Sequence, residues 1–306
     1  METVVCNNCG EQKFTVALTG PDWLHGLPGS FTLVRCQGCG LLYLNPRPVG
    51  EELAAYYPSD YEAHIGTRKM GWLKQLEYDY GIQKRYRGIM RYTRPGRMLD
   101  IGCATGDFLA GMEDRGWEVM GIEPSEQASR YARETLGLNV QTASLEEAQL
   151  DDNSLDLITM WNVLEHLPDP AQALGRIARA LKPGGLLVFA IPSLRSYDVK
   201  WFKKYWAGYD LPRHLYTFPE GVMEQMVSRQ GFKVLGRKCI YGTYNALAFS
   251  ARFALRDKVS DPQRREFYQQ MILSRPARLL MWPVAAVISM LNRGTIMTWF
   301  CRKTAA

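Results

Sequence analysis

Between residues 98 and 191 the sequence alternates short apolar runs with amphipathic stretches of helical length, and few folds accommodate that rhythm. Residues 98–101, 117–122, 139–142, 155–161 and 186–191 read as strands, and residues 108–115, 125–136 and 170–181 as helices. The strands are apolar runs, as in a parallel sheet covered on both faces. Beyond them come a helix at 219–229, a strand at 232–239, a largely helical stretch at 244–291 and a last strand-like run at 295–301. The expected fold is α/β: a doubly wound, mostly parallel seven-stranded sheet with a helical insertion near its end. Upstream, residues 71–92 read as a leading helix, with Trp72, Leu73, Leu76, Tyr80 and Ile89 among charged residues. The expected divisions are a cysteine-bearing segment at 1–48, a linker and leading helix at 49–95, the core at 96–240, and the insertion with a final strand at 241–306.

The first strand runs straight into Asp100-Ile101-Gly102-Cys103-Ala104-Thr105-Gly106, with glycines four apart and a helix following. Glycine lets the backbone turn and lets a ligand approach it. A dinucleotide site would need G-x-G-x-x-G to bring amides to a pyrophosphate, and Ala104 stands where the middle glycine belongs. S-adenosylmethionine (SAM) has no phosphate. It asks for a carboxylate at the strand end and a second one for its ribose hydroxyls, which Asp100 and Glu123 can supply. Glu123-Pro124 closes the second strand, where an acid can accept charge-assisted bonds from both hydroxyls. Taken alone, the loop also reads as a tight turn, and Asp100 as a carboxylate stabilising the next helix through its dipole.

At these residues the chain resembles class I SAM-dependent methyltransferases, a Rossmann-like family, over residues 96–231. Asp152-Asn153-Ser154-Leu155-Asp156-Leu157-Ile158 is similar to that family's turn into its fourth strand, and Trp161-Asn162-Val163-Leu164-Glu165-His166-Leu167 to the exit from it. Leu181-Lys182-Pro183-Gly184-Gly185 resembles the turn before the fifth strand. The resemblance implies SAM as cofactor, held by Asp100, Gly102, Cys103, Gly106, Glu123 and Pro124. It also implies Ser144 and Leu145 bordering the adenine, and Trp161 and Asn162 against the methionine or ribose side. One departure is the segment between the sixth and seventh strands, which exceeds the hairpin usual in that fold.

Cys6-x-x-Cys9 and Cys36-x-x-Cys39 form two close pairs, each followed by glycine (Gly10, Gly40). Four thiolates suit a structural, tetrahedral zinc ion with no open position. Two unrelated reduced pairs or a redox dithiol are the other readings, the latter more usual at a helix N-terminus. With the exit at 41–48 and Tyr56, Tyr57 and Tyr61, this ribbon resembles a bacterial subgroup of the methyltransferases linked with polysaccharide or secondary-metabolite synthesis. Sugar C-methyltransferases similarly carry an N-terminal zinc-binding domain. The same resemblance makes 293–303 the last, antiparallel strand.

Methyl transfer is an in-line displacement, so a base is needed only when the acceptor must lose a proton. Of four histidines, His166 and His214 are placed to serve, or else to pack their loops. Glu165 could orient His166 or hold a divalent ion with it, as in some quinone-pathway O-methyltransferases, but no catalytic metal is expected. The long stretch 197–218 reads as a substrate cover. Its Trp201, Phe202, Tyr205, Trp206 and Tyr209, mixed with Lys200, Lys203 and Lys204, could stack a sugar or a base, or simply pack as a lid.

The net charge of +6 comes partly from Arg85, Arg87, Arg91, Arg94 and Arg97, a set that reads as a solvated helix face. Nucleic acid is a secondary option for a partner. The apolar run 279–291 contains Pro283 and is shorter than the roughly 20 residues of a spanning helix. It reads as a buried helix, or as an interfacial one with Arg275 and Arg278 near lipid headgroups. Residues 1–8 show no secretory leader and the seven cysteines suit a reducing compartment, so the cytoplasm is expected, with peripheral contact at the inner face of the membrane. The expected activity is methylation, on oxygen or carbon, of a small or carrier-linked acceptor: a glycan, a nucleotide sugar, or a lipid-linked or secondary-metabolite intermediate. The alternatives are an RNA methyltransferase, although Trp161-Asn162-Val163-Leu164 lacks an Asn-Pro-Pro-Tyr type motif, and a SAM-binding scaffold without turnover.

Overall fold

The computed structural model describes residues 1–57 and 72–304; Tyr61 of the linker and the first residue of the helix expected at 71–92 lie outside them. The chain begins with β1 (Phe14–Gly20), β2 (Phe31–Cys36), β3 (Leu42–Leu44), α1 (Gly50–Ala54) and α2 (Trp72–Ile89). Next come β4 (Arg97–Ile101), α3 (Asp107–Glu113), β5 (Glu118–Ile122), α4 (Glu126–Leu136), β6 (Val140–Gln141), β7 (Leu155–Trp161), α5 (Pro170–Ala180) and β8 (Leu181–Pro192). It ends with α6 (Tyr197–Phe202), β9 (Tyr216–Thr217), α7 (Glu220–Arg229), β10 (Phe232–Lys238), α8 (Thr243–Lys258), α9 (Pro262–Leu273), α10 (Arg275–Met290) and β11 (Ile296–Lys303). Two compact units result. One gathers Met1–Tyr56, Pro192–Met223 and Lys238–Met297; the other gathers Tyr57–Ile191, Glu224–Arg237 and Thr298–Ala306.

The second unit is built on the expected seven-stranded sheet, in the order β10-β11-β8-β7-β4-β5-β6. The pairs β4–β5, β4–β7, β5–β6 and β7–β8 are parallel. Leu99, Leu157, Ile158, Met160 and Val188 are completely buried, which is why these strands carry no polar alternation. Strand order runs outward in both directions from β4 and β7, and ligands of open α/β sheets bind at such a reversal, beyond the carboxyl ends of the strands. Local signals fix the helices. Ser125 Oγ accepts from Ala128 N at the start of α4, Gly137 (φ +73°) ends it, and Asp169 Oδ1 accepts from Gln172 N ahead of α5. Leu155 pairs with Leu181 but Leu157 with Leu186, so Lys182 to Gly185 loop out at the turn expected there.

In the first unit, β1, β2, β3 and β9 form an antiparallel sheet. Tyr43 is in register with Tyr216, so part of the stretch read as a cover is the fourth strand of the sheet that the cysteine-bearing segment forms. Arg213, fully buried, donates to Asp22 Oδ1 (2.6 Å), Asp210 Oδ1 (2.7 Å) and the Tyr56 carbonyl (3.2 Å). A guanidinium withdrawn from water is tolerated only with such partners, and here they tie three distant stretches of chain together.

Helices α8, α9 and α10 pack on one another in the same unit, and α10 is inside out. Ala285 and Ile288 are buried, while Leu279, Leu280, Trp282, Val287 and Met290 face solvent, Leu280 at 78% and Met290 at 81% exposure. The buried-helix reading of 279–291 is therefore corrected: the apolar face points outward. No single described helix is long and apolar enough to cross a membrane; α9 and α10 pass that test only together, with a 57° bend between them.

Candidate cofactor site

The carboxyl ends of β4, β5 and β7 bring together residues that the sequence separates. Register places Asp100 between Gly121 of β5 and Thr159 of β7. The glycine loop then folds back over β5: Gly102 N and Cys103 N both donate to Ile122 O, at 2.8 and 3.1 Å. Gly102 adopts φ +69°, and a Cβ there would lie 2.6 Å from Val163 Cγ2. Glycine at 102 is thus required by backbone angle and by packing, a stronger reason than ligand access alone.

Glu123 closes the loop. Its Oε2 accepts from Ala104 N and its Oε1 from Ser125 N, both at 2.9 Å, so the carboxylate is fixed in orientation with further lone pairs on each oxygen. Asp100 is buried at 2% exposure and accepts from Thr159 Oγ1 at 2.5 Å. Burial pushes its carboxyl up to about 7, helped by the charge of Glu123 and opposed by the Thr159 bond and Arg85. Burial likewise pushes the Cys103 thiol up, which keeps this loop residue a neutral wall.

Other expected site residues line the same strand ends. Ser144 N donates to Glu147 Oε2 while Glu147 N donates to Ser144 Oγ, a reciprocal cap beside buried Leu145. Asn162 adopts φ +59° and donates to Glu165 Oε1. Trp161 packs edge-on against Phe108, and Pro124 is exposed after Glu123. Arg85 was read as part of a solvated face and is not. It is half-buried, with its guanidinium 4.5 Å from the Phe108 ring and 5.1 Å from that of Trp161, and it acts electrostatically on Asp100. Nothing in the run of arginines marked this one, because only the fold brings α2 against α3 and the end of β7.

His166 belongs to this unit, its Nδ1 2.9 Å from Tyr57 Oη. His214 belongs to the first unit, its Nδ1 2.9 Å from the Gly208 carbonyl. A carbonyl only accepts, so Nδ1 of His214 is the donor in this bond. The aromatic set divides. Trp206 is fully buried against Tyr209, Tyr205 and Lys204 are engaged by Asp257, and Trp201 is 60% exposed.

In the first unit the four cysteines converge as their spacing suggested. Cys6 and Cys39, and Cys9 and Cys36, lie 3.5 Å apart sulfur to sulfur, and all four sulfurs fall within 4.8 Å of one another. Gly10 (φ +73°) and Gly40 (φ +82°) close the two knuckles, their amides donating to Cys6 O and Cys36 O. Zn–S bonds of about 2.3 Å in a tetrahedron require sulfurs roughly 3.8 Å apart, and this cluster fits such an ion.

A family model described as a methyltransferase domain matches residues 78–236. The chain belongs to the class I SAM-dependent methyltransferases. A ubiquinone biosynthesis O-methyltransferase of Alkalilimnicola ehrlichii is 42% identical over 100 residues, which are 31% of this chain and 40% of that protein, so the chain spans less than half of this curated relative. Among solved structures, a protein described as a sarcosine dimethylglycine methyltransferase from Galdieria sulphuraria superposes with a TM-score of 0.50 at 15% identity, covering 75% of this chain and 86% of that one. A methyltransferase complex with the Haloferax volcanii Trm112 methyltransferase activator superposes at 0.52 and 16% identity, covering 84% and 100%. At these identities the superpositions speak for the fold.

For this methyltransferase the donor set suits SAM. A sulfonium cofactor carries a positive charge, which a buried acid suits, and two ribose hydroxyls, which an oriented carboxylate suits. The acid gives a pH signature. With its folded pKa raised, Asp100 contributes stability that is present below the usual carboxylate range and lost as pH rises through about 7. A cationic ligand prefers the ionised form, so SAM affinity should be level above about pH 7 and fall by up to about tenfold per unit below it. Calorimetric titration across that range, with Asp100→Asn giving weaker and pH-independent binding, checks this; an unchanged slope in the variant would count against Asp100.

Proposed function

We propose that this chain transfers the SAM methyl group to an oxygen of a small or carrier-linked acceptor. The observation that carries the reading is the Asp100–Glu123 pair, buried and oriented beneath the glycine loop at the strand-order reversal. Relatives named as O-methyltransferases support oxygen over carbon. Glu123 would hold the ribose, Asp100 the cationic part, and Ser144, Leu145, Trp161 and Asn162 the remaining walls. Bound SAM would supply an electrophilic methyl carbon, and a hydroxyl acceptor must then lose its proton. His166, set by Tyr57, and His214, set by Gly208, are the candidate bases. The four-cysteine cluster would hold structural zinc and take no part in the chemistry.

Labelled methyl groups should pass from SAM to a small product in cell extract, and His166→Ala or His214→Ala should abolish the transfer while SAM binding persists. Label in RNA instead would move the acceptor to nucleic acid, and binding without any product would leave a scaffold.

The outward apolar face of α10 favours peripheral membrane contact as well, which would suit a lipid-linked acceptor. Residues 262–293 carry five arginines and a single glutamate, so basic charge flanks the exposed Leu279, Leu280, Trp282 and Met290. The protein should float with phosphatidylglycerol vesicles, and Leu280→Glu should return it to the bottom of the gradient without altering SAM binding. A variant that floats undiminished would refute this contact.

A further inference from the structure

Apart from the cofactor site, the first unit contains a cavity of about 380 Å³ between α8, α9 and the turn after Asp22. Trp23 and Phe253 form apolar walls, and three arginines, Arg252, Arg256 and Arg265, line it against one acid, Glu266. Its volume is at the lower end for small-molecule sites, about 300–1,000 Å³.

The positive charge has little internal compensation. Arg256 is fixed by neutral acceptors: its Nη1 donates to the carbonyls of Trp23 (3.0 Å) and Leu24 (2.8 Å), and its Nη2 to that of His25 (2.8 Å). The nearby Asp22 is already engaged, accepting from Arg213 and from the amides of Leu24, His25 and Leu27. Arg252 lies over the Phe249 ring, and neither it nor Arg265 forms an ion pair among the described residues. Glu266 accepts from Gln270. Burial and the charges of Arg265 and Arg252 push the Arg256 guanidinium down against the pull of Asp22. Three like charges held around one concavity repel one another unless an anion enters.

We infer that this cavity is a binding site for a phosphate or diphosphate group. Planar guanidinium forks match phosphate oxygens in pairs, a task for Arg252 and Arg265, while Arg256, immobilised by three carbonyls, adds a fixed positive charge. The Trp23 indole, itself packed edge-on against Tyr205 at 5.3 Å, offers a flat wall to whatever carries the phosphate. The site is separate from the cofactor residues, and its test does not use methyl transfer.

Inorganic pyrophosphate should raise the thermal unfolding midpoint of the full chain by about 3 °C at a tenfold excess over Kd, when sodium chloride of equal ionic strength does not. Arg252→Gln and Arg265→Gln keep most of each stem and remove its charge. Both should unfold at or above the wild-type midpoint without ligand and lose the pyrophosphate shift. No shift beyond that of chloride, or a shift that both variants retain, would overturn the inference; calorimetric titration of pyrophosphate into the wild type decides the matter should either variant misfold. Flotation with phosphatidic acid vesicles separates two sources of the same chemistry. Binding lost in Arg252→Gln assigns a lipid phosphate, and binding unaffected beside a pyrophosphate shift assigns a soluble phosphate ester.

Discussion

Glu123→Ala is expected to weaken SAM binding by about a hundredfold, the loss of two charge-assisted hydrogen bonds at about 1.5 kcal/mol each. The same substitution also releases Ala104 N and Ser125 N, so the glycine loop loses its tie to the end of β5. Glu123→Gln separates the two effects. Its amide oxygen can still accept one backbone bond, but its NH2 group cannot accept from a hydroxyl. Titration of SAM and of its demethylated product into the three proteins should rank wild type, glutamine and alanine in that order, with the two ligands weakened together, because the ribose is common to both. Equal affinity across the series would remove Glu123 from the cofactor site and leave it as a loop clamp.

Loss of the metal from the four-cysteine cluster should be the largest single stability change in the first unit. Structural zinc sites of this kind contribute about 10 kcal/mol or more of binding free energy near neutral pH. Purified protein should contain about one zinc per chain, lost in Cys36→Ser and kept in Cys239→Ser or Cys301→Ser, whose thiols are buried elsewhere. Cys36 ends β2 and pairs in register with Phe14 of β1, so chelation should loosen that sheet and lower the unfolding midpoint. Metal-free protein with an unchanged midpoint would make the cluster a reduced dithiol pair instead.

Much of this was legible because each signal was local and redundant. The strand at 155–161 has the bounds its apolar run predicts, and the places of Asp100, Gly102 and Glu123 at strand ends follow from the apolar runs before them. The four-cysteine cluster was legible for the same reason, since two knuckles with following glycines have few other uses. What escaped notice depended on tertiary contact. Tyr216-Thr217 is too short to read as a strand, and only pairing with β3 makes it one. Arg85 differs from its basic neighbours only in what α2 packs against. The inside-out face of α10 was hidden by its composition, because an apolar run of that length does not say which way it faces.

The pairing of β3 with β9 and the Arg213 triad bear on how this protein can be recombined. Exchanging residues 1–48 for another ribbon would strand Tyr216 and Thr217 without their strand partner and leave Arg213 without Asp22. The transplantable piece is therefore not a bead at the front of the chain but a composite of three sequence segments, 1–56, 192–223 and 238–297, which a chimera must inherit together.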